Sequence, residues 1–234
     1  GYYAHCTVLD DCMGSLLATL EAESLKEDTI VVFASDHGDM LGSQGLTKKQ
    51  KPWEESVRIP FLLRYPALFA SEGRQVSDAM IGMQDMMPTL LGLSQLPIPE
   101  EVEGIDYSGF LQGGENPSDS TALLACYHPF GQWKSGMDGG PYGFTGREFR
   151  GIRTSRYTYV RSLQGPWLLY DNLNDPYQLN NLVDLPQYSS LRNDLDQKLQ
   201  QKLDQRNDQF LSGMEYINIW GYTVDERGTV PYQD

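Results

Sequence analysis

Residues 35–39 read Ser-Asp-His-Gly-Asp and so gather two carboxylates and one imidazole within a few positions. A carboxylate beside an imidazole, with Gly38 free to turn the backbone, is the donor chemistry of a metal site or of a site for a phosphate-like anion. The alternative is a polar loop in which Asp36 caps the following turn. A second group lies at Lys48, Lys49 and Lys51, in the run Lys-Lys-Gln-Lys-Pro. Three ammonium groups so close together make either a solvated loop or an anion site. Over the whole chain, 18 basic and 32 acidic residues leave a formal net charge of −14. That balance repels nucleic acid and anionic membrane, so neither is expected as a partner. An anionic substrate would need a local cationic site to offset the global field.

Both groups need elements to position them. The run Thr29-Ile30-Val31-Val32-Phe33 has no polar alternation, which predicts a strand buried on both faces of a parallel sheet. Open α/β sheets take ligands outside the carboxyl ends of such strands, where Asp36 and His37 fall. Before it, Val8, Met13, Leu16, Leu17 and Leu20 recur at helical spacing and predict a helix over residues 2–25, with His5 packed against the sheet. After it, residues 59–65 predict a second buried strand, and residues 81–93 another helix or a strand–helix unit, with Pro88 in a first helical turn. This alternation indicates parallel α/β architecture to about residue 96. Residues 97–146 are rich in Gly, Pro, Ser and Asp, with one short strand predicted over 121–127. The segment GIRTSRYTYVRSL alternates as a strand and is expected to pair antiparallel with WLLYDN. Leu191, Leu195, Leu199 and Leu203 stripe a helix predicted over 187–211, suited to lying across a sheet. The expected fold is α/β, part of a mainly parallel sheet flanked by helices, then a small antiparallel sheet with a C-terminal helix. The expected units are residues 1–146, 147–211 and a tail over 212–234.

The length of 234 residues and a hydrophobic content of 40% support a real core. No apolar stretch reaches the length of a membrane span. Cys6, Cys12 and Cys126 show no metal-type spacing and are expected as buried free thiols.

The blocks YYAHCTVLDDCMGSLL, TIVVFASDHGDMLGSQGL and KKQKPWEESVRIPFLLRYP resemble consecutive blocks of the sulfatase family, within the alkaline-phosphatase-like superfamily. MIGMQDMMPTLLGLSQLPIP, RGIRTSRYTYV and WLLYDNLNDPYQLNNLVD resemble the later half of that family in the same order. The resemblance implies one divalent cation, calcium in most members, with Asp36 and His37 in the position of two of its ligands. Calcium prefers oxygen donors, so His37 can instead contact the sulfate or its bridging oxygen. The resemblance also implies a sulfate-binding lysine four residues before an aromatic–Glu pair. Trp53-Glu54 is that pair and Lys49 stands at that spacing, with Lys48 and Lys51 as rivals. Lys49 and His37 are thus the implied catalytic residues. Glu54, Glu55 and Arg58 are expected to orient the loop.

Members of the family carry a formylglycine made from Cys or Ser in a C/S-x-P-S-R or C/S-x-A-x-R motif, and no cysteine here stands in one. The chain is therefore expected to be the C-terminal portion of a sulfatase, inactive alone, with the nucleophile supplied upstream. His128, Trp133 and Lys134 lie where the family builds substrate pockets and are candidates for substrate binding; Arg147, Arg150 and Arg153 could reach an anionic sugar. The implied substrate is a sulfated sugar or small alcohol, in a periplasmic, secreted or lysosomal-type compartment. A homo-oligomer is a further expectation, since a truncated parallel sheet exposes an apolar edge and face. The rival readings are a phosphodiester or phosphonate hydrolase of the same superfamily, and a non-catalytic remnant or carbohydrate-binding module.

Overall fold

A computed structural model describes residues 1–69, 79–127 and 148–223. The chain opens with helix α1 (Tyr2–Ala22), followed by strand β1 (Val31–Ala34), the four-residue helix α2 (Glu54–Val57) and strand β2 (Phe61–Arg64). β1 and β2 pair antiparallel, with Val31 opposite Arg64 and Ala34 opposite Phe61. This corrects the expectation of parallel pairing. Between the two strands the only α-helical turn is α2, too short for the crossover that parallel neighbours need, so the chain doubles back. The expected burial on both faces is not met either. Phe33 is 36% and Leu62 64% exposed, because no other described strand extends this ribbon. No residue of α1 is buried, which leaves His5, Cys6 and Cys12 exposed; of the three cysteines only Cys126 is buried.

Helix α3 (Met83–Leu93) starts with a capping box in which Gly82 N–H donates to Asp85 Oδ2 at 2.7 Å. Pro88 lies well inside it rather than in the first turn. A proline there cannot donate to the carbonyl four residues back, at Gln84. That carbonyl is where Gly104 crosses, so closely that a Cβ would stand 1.9 Å from the oxygen. Helix α4 (Ser108–Leu111) follows.

The remainder is a four-stranded meander of β3 (Thr121–Cys126), β4 (Phe149–Thr154), β5 (Tyr157–Ser162) and β6 (Gly165–Asp171), antiparallel throughout. The single alternating segment of the sequence is thus two strands. Thr154 Oγ1 accepts from Tyr157 N–H at 2.8 Å and turns the chain between them. Alternation then gives the sheet two apolar faces. Ile152, Tyr159 and Leu169 face Leu195, Leu199 and Leu203 of helix α5 (Ser189–Gln205), as the leucine stripe predicts. Phe149, Val160, Leu168 and Tyr170 point the other way and pack on Met40, Leu46 and Trp53. The sheet therefore lies between its own helix and the loop that follows β1.

Helix α6 (Gly213–Trp220) ends the described chain, capped by Ser212 and Glu215. It is tied to the sheet through Asp208, which pairs with the fully buried Arg150 at 2.6 Å and accepts from Tyr216 Oη at 2.8 Å. Truncating Leu199, which is 0% exposed, should cost about 2–5 kcal/mol of stability by chemical denaturation, and Leu191→Ala, at a half-buried position, clearly less. The hydrogen bonds from the Arg156 guanidinium hold Asp171 down at about 2. A depressed carboxylate stabilises the fold above its unfolded value, near 4, and loses that contribution as pH falls towards 2. Acid unfolding should accordingly begin at higher pH in Arg156→Met than in the parent chain.

Candidate active site

β1 delivers Asp36 and His37 to the surface just beyond its carboxyl end. His37 N–H donates to Asp36 Oδ1 at 3.0 Å, and Ser35 Oγ donates to the carbonyl of His37 at 2.7 Å, so the corner is held locally. His37 Nδ1 lies 2.7 Å from the carbonyl oxygen of Gly38. A carbonyl only accepts, so Nδ1 carries the proton and Nε2 is the free ring nitrogen. Nε2 in turn faces Asp36 Oδ2 at 3.4 Å. With Nδ1 committed, Nε2 and Asp36 Oδ2 are two acceptors side by side, the kind of pair a shared cation satisfies. The side chains of Asp36 and His37 are 78% and 36% exposed, open to whatever completes the site. Among the described residues no group of three or more His, Cys, Asp or Glu side chains could hold a metal ion, so the pair fits as two donors of a set and not as a whole one.

Gly38 lets the backbone of this corner come close to that of α2. Its N–H donates to the Ser56 carbonyl at 2.9 Å, and a Cβ at this position would stand 2.0 Å from the Glu55 carbonyl oxygen. The corner therefore lies directly against the backbone of α2. Asp39 connects it to the lysines: its Oδ1 accepts from Leu41 N–H at 2.9 Å and from Lys48 N–H at 3.2 Å, while Met40 N–H donates to the Lys48 carbonyl at 3.0 Å. Lys48 and Gln50 take left-handed backbone conformations, with φ of 64° and 67°. The three lysines then part company. Lys51 is buried at 7% exposure, its N–H donating to Ser56 Oγ at 3.1 Å, whereas Lys48 and Lys49 stay exposed. Of the candidates, Lys48 and Lys49 keep an ammonium group at the surface.

Trp53 seats the loop on the sheet. It is 3% exposed, its Nε1–H donates to Tyr170 Oη at 3.2 Å, and its ring meets Trp167 edge-on at 5.8 Å. Glu54 has a partner that the sequence does not signal. Its carboxylate takes a two-pronged contact from Arg153, at 2.8 and 3.0 Å. Arg153 is thereby engaged, and Arg150 is bound to Asp208, so neither is held out for an anionic sugar. His128, Trp133, Lys134 and Arg147 lie outside the described residues. The sequence reading missed Asp39, Ser56 and Gln178, which positions Glu54 N–H at 2.9 Å. Asp39 carries a local signal, a side chain that turns back on the amide two residues on. Gln178, more than a hundred residues from Glu54, carries none.

The family model for the C-terminal region of N-sulphoglucosamine sulphohydrolase matches residues 42–205. An ulvan-active sulfatase from Formosa agariphila is 40% identical over 235 residues, covering 99% of this chain and 44% of its own length. The chain thus spans less than half of that relative. A solved structure in complex with its substrate D-glucosamine-2-N,6-O-disulfate superposes with a TM-score of 0.73 at 26% identity, over 87% of this chain and 40% of the other. The phosphonate monoester hydrolase of Agrobacterium radiobacter superposes with a TM-score of 0.70 at 25% identity, over 100% of this chain and 45% of the other. With the family model matching well over half of its residues, the chain belongs to the sulfatase family of the alkaline-phosphatase-like superfamily and corresponds to that family's C-terminal portion.

Proposed function

We propose that this chain contributes Asp36, His37 and Lys49 to the active site of a metal-dependent sulfatase acting on a sulfated sugar or a small sulfate ester. The carrying observation is the stitching of Asp39 to Lys48, which joins the carboxylate–imidazole corner to the lysine loop. Lys49 then supplies a compact positive charge for a tetrahedral anion within an otherwise acidic chain. His37, with Nδ1 committed to a backbone carbonyl, presents Nε2 to a cation, a sulfate oxygen or the leaving oxygen. Asp36 and His37 would be two of the metal's ligands, and a divalent cation bound there supplies charge neutralisation for the ester oxygens. The nucleophile is expected as a formylglycine outside this sequence. A sugar substrate is supported by the structural neighbour that binds a disulfated glucosamine.

A second reading, phosphonate or phosphodiester hydrolysis, is supported by the phosphonate monoester hydrolase neighbour. A lysine and a metal corner serve either anion. Full-length protein should turn over sulfate esters faster than phosphonate monoesters and phosphodiesters assayed side by side; the reverse order would transfer the assignment. In that protein Lys49→Ala should reduce sulfate-ester turnover by about 100-fold or more, in the range of losing one electrostatic contact to developing charge. Unchanged turnover would remove Lys49 from the site. The 234-residue chain alone should hydrolyse neither ester and, in calorimetry, should bind Ca2+ only weakly, since it offers two donors where calcium takes six to eight.

A further inference from the structure

The two halves of the proposed site converge on one short helix, and a single arginine of the antiparallel sheet orients that helix. Ser56, in α2, receives Gly38 N–H on its carbonyl and Lys51 N–H on its Oγ. The carboxylate–imidazole corner and the lysine loop therefore take their positions from the same residue. α2 in turn is set by its first residue. Glu54 Oε1 accepts from Arg153 Nε at 2.8 Å and Oε2 from Arg153 Nη2 at 3.0 Å. Both side chains are largely buried, at 12% and 16% exposed, and Arg153 Nη1 is also engaged, by the carbonyl of Thr154. Glu54 N–H is held separately by Gln178 Oε1, and Gln178, 1% exposed, is fixed by its Nε2–H to Asn172 Oδ1 at 2.8 Å.

Hydrophobic packing already fastens this stretch to the sheet through Trp53. A largely buried ion pair adds little net stability to such an anchor, but a two-pronged guanidinium–carboxylate contact admits one orientation. Resting on the active-site reading above, we infer that Arg153 and Gln178 are positioning residues for catalysis. They act through Glu54 and Ser56 to aim Lys49 and the Asp36–His37 corner. The antiparallel sheet is then part of the catalytic apparatus and not only a support. Small displacements of an anion-binding group cost large factors in rate, which makes the effect measurable.

The test is Arg153→Lys in the full-length protein, which keeps the charge and loses the fork, with the near-isosteric Glu54→Gln as second variant should the first not fold. Sulfate-ester kcat/KM should fall at least about tenfold, with thermal unfolding displaced by no more than a few degrees. The same substitution in a Lys49→Ala background should cost less than about threefold, because residues acting as a unit are not additive. A full, additive loss there would assign Arg153 a general structural role and overturn the inference. Wild-type turnover in Arg153→Lys, with Lys49→Ala inactive, would overturn it and leave the active-site reading intact. If Lys49→Ala is fully active the site reading fails, and limited trypsin digestion of the 234-residue chain decides the matter. Cleavage after Lys48 and Lys49 should rise about tenfold in Arg153→Lys if the fork orients the loop; unchanged cleavage would refute it.

Discussion

Two backbones cross at Gly38 with no space between them for a side chain. The amide of Gly38 meets the Ser56 carbonyl, and the Glu55 carbonyl occupies the place of a Cβ. Much of the site follows from this approach. It draws the end of β1 onto α2 and lets Asp39 reach the amide of Lys48. Any larger residue would force the strand end and the helix apart.

The antiparallel sheet supplies the fixed reference for that crossing. Its strands alternate cleanly, so one face is committed to the leucines of α5 and the other is free to receive Met40, Leu46 and Trp53. Site and subdomain are consequently two sides of one apolar layer. The polar ties are laid over it at the edge of the contact, where Arg153, Gln178 and Gln44 bind Glu54 and the turn at Tyr177.

Local patterns were legible in the sequence, and long-range partners were not. The leucine step of four located α5 and its buried face, and the ordered blocks around SDHGD and KPWEES located the corner and the lysine loop. The direction of β2 was not legible, because an apolar run is the same whichever way its neighbour points; only the path of residues 35–60, which holds no crossover helix, decides it. The division of GIRTSRYTYVRSL into two strands turned on one hydroxyl, Thr154, that sequence alternation does not register. Arg150 and Arg153 read as candidates for an anionic sugar because their partners, Asp208 and Glu54, stand 58 and 99 positions away.

Helix α1 has a consequence of its own. None of its twenty-one residues is fully buried, Tyr3 and Leu16 lie in the open, and only Met13, Leu17 and Leu20 are half-buried, so tertiary packing supports it little. In proteins most helical stability comes from the tertiary packing of an apolar face. The amides of α1 should therefore exchange with deuterium far sooner than those of β4 and β5, which open only when the sheet and α5 come apart. In the 234-residue chain a far-ultraviolet helix signal should therefore begin to fall before the tryptophan signal of Trp53 and Trp167 does.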